Sequence, residues 1–179
     1  FINVIVKNGL LRYYRNHVYK IFEMRSLDQG FVSVGMSNEG TSLNDPSIQN
    51  KLKEYPLIFF KIFTKGLEFV EFLNSIKIFH SDIKPENLCF NPTEILIVFI
   101  DFGSVDVDQC PGFTSIESRR ECVINRQVKL GGTPSFLSPY SLSRLEVDLE
   151  EEETYSYLLS ILYVIYKEKV GEYILDIHE

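Results

Sequence analysis

The chain has 179 residues, a formal net charge of −7 and 45% hydrophobic residues. That length suits one domain with a real core, which excludes wholesale disorder. The acidic balance argues against nucleic acid as a partner, because neutralising phosphates takes clustered Lys and Arg.

The cysteines, Cys89, Cys110 and Cys122, are odd in number and lack metal-ligand spacing. A reducing, intracellular compartment is therefore expected, the cytoplasm first. No secretory signal opens the chain, and the longest apolar run, Tyr157 to Tyr166, falls well short of the ~20 residues a membrane span needs. A soluble chain is expected. Its opening lacks an initiator Met and is apolar and strand-like from Phe1, as expected of a piece cut from something larger.

Residues 2–6 and 10–14 read as strands split by Lys7-Asn8-Gly9, and Val18 to Met24 as a further strand. Residues 25–50 are rich in Ser, Asn, Asp, Gly and Gln, and read as an irregular crossover with one short helix. Pro56 opens the strongest helical pattern. Phe59, Ile62, Phe63, Leu67, Val70 and Leu73 form an apolar stripe opposite Lys61, Lys65, Glu68 and Glu71, and Asn74-Ser75 ends the helix. Leu88 to Phe90 and Ile95 to Ile100 read as two short strands joined by Asn91-Pro92-Thr93-Glu94. Residues 103–139 are long, polar and punctuated by Gly and Pro, which suits a functional loop. From Glu150 an acidic run leads into an apolar helix through about Tyr166.

The chemistry concentrates in His80-Ser81-Asp82-Ile83-Lys84-Pro85-Glu86-Asn87 and in Asp101-Phe102-Gly103. A loop after a helix offers a carboxylate (Asp82), an ammonium (Lys84) and a carboxamide (Asn87). A hairpin then returns the chain and adds a second carboxylate, Asp101. Phosphoryl transfer needs little more: a group to orient the attacking hydroxyl, a cation on the phosphoryl group and hard oxygen ligands for Mg²⁺.

These stretches resemble the catalytic loop and the magnesium-binding motif of eukaryotic-type Ser/Thr protein kinases. Gly132-Thr133-Pro134-Ser135-Phe136-Leu137-Ser138-Pro139 resembles the end of that family's activation segment, in the right order. The resemblance implies an α+β, protein kinase-like fold with a mostly helical large lobe, a short catalytic hairpin and a remnant of the small-lobe β-sheet. It implies that residues 1–24 are the last small-lobe strands and the start of the hinge. Residues 25–179 would be a partial large lobe, with catalytic loop 80–87, activation segment 101–140 and a following helix at about 153–167.

The implied activity is transfer of the γ-phosphate of Mg-ATP to a Ser or Thr hydroxyl of a protein substrate. Asp82 would take or orient the hydroxyl proton, and Lys84 would neutralise the γ-phosphate. Asn87 and Asp101 would hold magnesium. Thr133 would hydrogen-bond near Asp82 and help define the Ser/Thr class, as would the placing of Lys84. Met24, at the hinge, and Cys89, on the pocket floor, would contact the nucleotide, with Phe22 flanking its back. His80 and Phe102 read as packed aromatics.

The pattern also breaks. No Gly-x-Gly-x-x-Gly loop is present. Val4 to Lys7 resembles the family's Val-Ala-Ile-Lys strand with Glu23 as its partner, but that register asks the polar stretch 25–50 for two buried strands. The catalytic-loop Arg is Ser81, and the usual phosphosite position falls on Lys129, so a phosphorylation switch there is not expected. Ser115 and Ser118 are other hydroxyls in that loop. Tyr140 stands where Ala-Pro-Glu ends in Glu, and the acidic run 150–153 would supply, as Glu, the Asp that starts the next helix. The rest of that run reads as a solvated helix start. Two alternatives to a Ser/Thr kinase fragment stay open: a pseudokinase-like binding or scaffolding module, and a small-molecule phosphotransferase.

Overall fold

The computed structural model describes residues 15–18, 21–26, 32–76, 78–104, 132–143 and 148–178. The strands expected over 2–6 and 10–14 lie outside these residues, as do Cys110, Ser115, Ser118, Cys122 and Lys129. Strand β1 (Ile21–Ser26) pairs antiparallel with β2 (Val32–Met36), with Met24 opposite Val34 and Ser26 opposite Val32. A second sheet has the order β3 (Thr41–Ser42), β4 (Leu88–Asn91), β5 (Leu96–Phe99), antiparallel throughout.

In the first part of the chain β1 runs past Met24 to Ser26 and pairs with β2, which ends at Met36. Residues 25–50 are no irregular crossover. They hold β2, β3 and helix α1 (Pro46–Glu54), the last matching the expected short helix. Val32, Val34 and Met36 alternate with Ser33 and Gly35, a period-2 strand signal that an average over the polar stretch hides.

Helix α1 starts where Asp45 Oδ1 accepts the Ser47 N–H at 2.8 Å. Tyr55 ends it and Pro56 opens α2 (Pro56–Ser75), as the sequence pattern predicts. Phe59, Ile62, Phe63, Phe69, Val70 and Leu73 are buried on one side of α2, and Lys61, Lys65, Glu68 and Glu71 are exposed on the other. Burying each such apolar side chain contributes roughly 1.5–3 kcal/mol. The stripe packs on the β4–β5 hairpin, where Ile97, Val98 and Phe99 are fully buried. Phe69 lies 5.0 Å from Phe99 between ring centroids and stacks on His17 at 5.1 Å. The hairpin turn closes as Asn91 Oδ1 accepts the N–H groups of Thr93 and Glu94.

A short helix α3 (Pro139–Ser143) precedes the long helix α4 (Leu149–His178), which kinks at Tyr166 (φ −125°, ψ 37°). The kink falls where the apolar pattern stops, so the expected end of the helix is a bend with helix beyond it. Buried Tyr157, Ile161 and Val164 join α4 to the α2 core. Among the described residues no helix is long and apolar enough to cross a membrane.

Candidate active site

The C-terminus of α2 delivers the chain to a loop in which His80 carries the architecture. His80 is fully buried, its Nε2 is 2.9 Å from the Ile100 carbonyl, and its ring lies 4.6 Å from Phe102. Burial holds its pKa below the usual imidazole value. It is thus a neutral packing residue that ties the 80–87 loop to the end of β5.

Ser81 and Asp101 follow these two anchored segments, and both adopt left-handed backbone, with φ 64° and 59°. Such conformations cost a non-glycine residue ~1–3 kcal/mol and persist where surrounding contacts over-determine them. At Ser81 the contacts come from α4. Glu153 accepts the His80 N–H at 2.8 Å and the Ser81 N–H at 2.6 Å. This carboxylate is buried at the start of α4, within the acidic run. Burial pushes its pKa up to about 7, against the opposing pull of the two N–H donors.

Next to this anchor three side chains converge. Thr133 Oγ1 donates to Asp82 Oδ1 at 2.7 Å, and Lys84 Nζ donates to Thr133 Oγ1 at 2.8 Å. Lys84 Nζ also lies 2.9 Å from Asp82 Oδ2. Burial alone would raise the Asp82 pKa, but the bonds from Lys84 and Thr133 outweigh it and hold the carboxyl below its ordinary value. Thr133 can reach Asp82 because Gly132 passes close to the 80–87 loop at φ 104°. A β-carbon there would lie 2.7 Å from the Ser81 carbonyl oxygen.

Asn87 closes the loop. Its Nδ2 donates to the Asp82 carbonyl at 2.9 Å and to Asp82 Oδ2 at 3.1 Å, while its backbone carbonyl accepts the Ile100 N–H. The amide nitrogen is thereby committed to Asp82, which leaves the hard Oδ1 oxygen for a cation. Asp101, exposed at the end of β5, holds the Gly103 N–H at 3.3 Å with Oδ1. One amide oxygen and one carboxylate fit a magnesium ion that takes its remaining ligands from phosphates and water. Among the described residues no cluster of three or more His, Cys, Asp or Glu side chains could hold a metal alone.

Asp82, Lys84, Asn87 and Thr133 therefore meet in one place, and Asp101 stands at the adjoining strand end. Cys89 is buried in β4 between Ser42 and Val98, and burial raises its thiol pKa. Met24 lies within β1, one strand before the segment that crosses to the hairpin. That segment is Ser37–Gly40, where Glu39 accepts a hydrogen bond from Asn91 Nδ2 at 3.3 Å. The sequence reading did not anticipate β2 between Met24 and this segment. The β2 alternation ending at Met36 was the available signal.

No family model matches the chain, and no curated protein matches it in sequence. Among solved structures it is similar to a protein kinase of the Cydia pomonella granulovirus, with a TM-score of 0.58 at 16% identity. The match covers 94% of this chain and 60% of that kinase. The chain is a domain of protein kinase-like fold.

Proposed function

We propose that this domain belongs to a Ser/Thr protein kinase, which transfers the γ-phosphate of Mg-ATP to a hydroxyl of a protein substrate. The observation that carries this reading is the Thr133 hydroxyl, which bridges Asp82 and Lys84. It joins a proton acceptor, a cation and the segment after which a substrate peptide would lie. In the reaction the substrate oxygen bonds to the γ-phosphorus as the bond to the ADP oxygen breaks. The hydroxyl proton passes toward Asp82, which its partners keep ionised. Lys84 offsets charge on the transferred group. Asn87 and Asp101 would hold magnesium, which neutralises the phosphates when bound. Cys89 on β4 would form part of the pocket floor for the adenine, and Met24 would approach the nucleotide from β1.

The test is phosphate transfer from Mg-ATP to Ser/Thr peptides by the chain and by Asp82→Asn, together with nucleotide binding by Asp101→Asn. Asp82→Asn should lower turnover by about 10²–10⁴-fold. Asp101→Asn should lose the magnesium-dependent part of nucleotide binding. Magnesium-dependent binding without any transfer, by a folded chain, would replace this reading with a binding or scaffolding module.

A further inference from the structure

The end of the activation segment needs an anchor, because a substrate peptide can be aligned only by a wall that does not move. Tyr140 occupies the position where the family has a Glu paired with a distant Arg, and it is exposed. Anchoring of this segment comes from α4. The Ser138 N–H donates to Glu152 Oε1 at 2.8 Å and its hydroxyl donates to Oε2 at 2.6 Å. The Ser141 hydroxyl donates to the same Oε2, and the Ser141 N–H donates to Ser138 Oγ at 3.0 Å. One turn further along α4, the Ser156 hydroxyl donates to the Phe136 carbonyl at 2.8 Å.

Glu152 and Ser141 are 7% and 3% exposed, so these bonds form away from water. A buried carboxylate is costly unless its oxygens are satisfied, and here neutral donors from one short segment satisfy both. Were those donors withdrawn, the carboxylate would be left buried and underbonded. The bonds are therefore mutually enforcing.

We infer that Glu152 is the positioning residue for the peptide-holding segment, fixing Ser138 and Ser141 to α4 in place of an ion pair from Tyr140's position. The neighbouring Glu153 does the corresponding work for the catalytic loop through His80 and Ser81. Consecutive carboxylates on one helical turn thus hold the two walls of the site. Between them lies a cavity of about 20 Å³, lined by Asp82, Thr133 and both glutamates, with room for about one water molecule. The consequence for peptide phosphorylation rests on the proposed kinase activity, whereas the anchoring does not.

The experiment is amide hydrogen exchange on the wild-type chain, Glu152→Ala and the double variant Ser138→Ala/Ser141→Ala, with peptide kinetics alongside. Both variants should speed exchange over residues 132–143 by about tenfold or more, with residues 78–90 still protected. In the kinetics, KM for the peptide should rise severalfold while magnesium-dependent nucleotide affinity stays within about twofold. If Glu152→Ala loosens the whole chain, the double variant decides, since it removes only two hydroxyls. Unchanged exchange over 132–143 in that variant would overturn the inference, as would a loss confined to kcat with KM unchanged. A wild-type chain that phosphorylates no peptide would instead count against the proposed function, and the exchange result would still judge the anchor.

Discussion

Gly66 on α2 lies directly beneath the phenol of Tyr157 on α4, where a β-carbon would come within 2.2 Å of the Tyr157 Oη. The Tyr157 hydroxyl donates to the Phe63 carbonyl at 2.7 Å, and burial raises its pKa so that it stays a neutral donor. The absence of a side chain at position 66 is what lets these two helices approach. Gly66→Ala should cost about 1–3 kcal/mol by overpacking. In a Tyr157→Ala background the same change should be neutral or stabilising by up to about 1 kcal/mol, since Ala is the better helix former. Urea unfolding of the four members of this cycle checks it; additive effects would mean the contact does not limit packing.

Phe69 is fully buried and touches rings from two other parts of the chain, His17 and Phe99. Truncating it opens a cavity at the junction of α2 and the β4–β5 hairpin. Phe69→Ala should therefore cost about 3–5 kcal/mol, read as a lower urea midpoint at unchanged slope.

Glu153 makes stability depend on pH in an unusual direction for a carboxylate. Its folded pKa of about 7 lies above the ordinary 4.5, so the native state holds the proton more tightly than the unfolded chain. Its contribution is fully present below pH 4.5 and is lost as pH rises through about 7. The span is on the order of 3 kcal/mol. Glu153→Gln removes this titration, so the stability of the variant relative to wild type should improve between pH 5 and pH 8. Parallel pH curves for the two proteins would show that Glu153 does not titrate there.

Thr133 tunes as well as positions. Its hydroxyl and the Lys84 ammonium outweigh the burial that would otherwise raise the Asp82 pKa. In Thr133→Val one of these donors is gone, so the Asp82 pKa should rise and the acid limb of the pH–rate profile should move to higher pH. Turnover should fall by about 10–100-fold, less than for loss of Asp82 itself. An unshifted acid limb would assign that limb to another group.

How far all this could be read beforehand follows from the range of each signal. The α2 stripe, Pro56 and the Asn91–Glu94 turn are local patterns, and the structure repeats them closely. Asp82, Lys84 and Asn87 sit within one loop, so their meeting was legible; Thr133, far along the chain, was legible only through family resemblance. Strand β2 was missed because it is short and lies in a polar stretch. Glu152 was read as part of a solvated run, yet it is buried with Glu153 while Glu151 is exposed. The available signal was helical spacing: Glu152 and Glu153 lie one turn before buried Ser156 and Tyr157, and two before Ser160 and Ile161.

The segment before β1 is fastened to the hairpin. Val18 forms a parallel bridge with Phe99, and His17 Nδ1 lies 2.7 Å from the Ile97 carbonyl. At the other end of the β1–β2 ribbon, Thr41 pairs with Phe90 on the adjoining strand. Both feet of the ribbon therefore stand on the same sheet, like the ends of a bucket handle. A pull on the ribbon at either foot is therefore borne by β4 and β5, the two strands that carry Cys89 and lead on to Asp101.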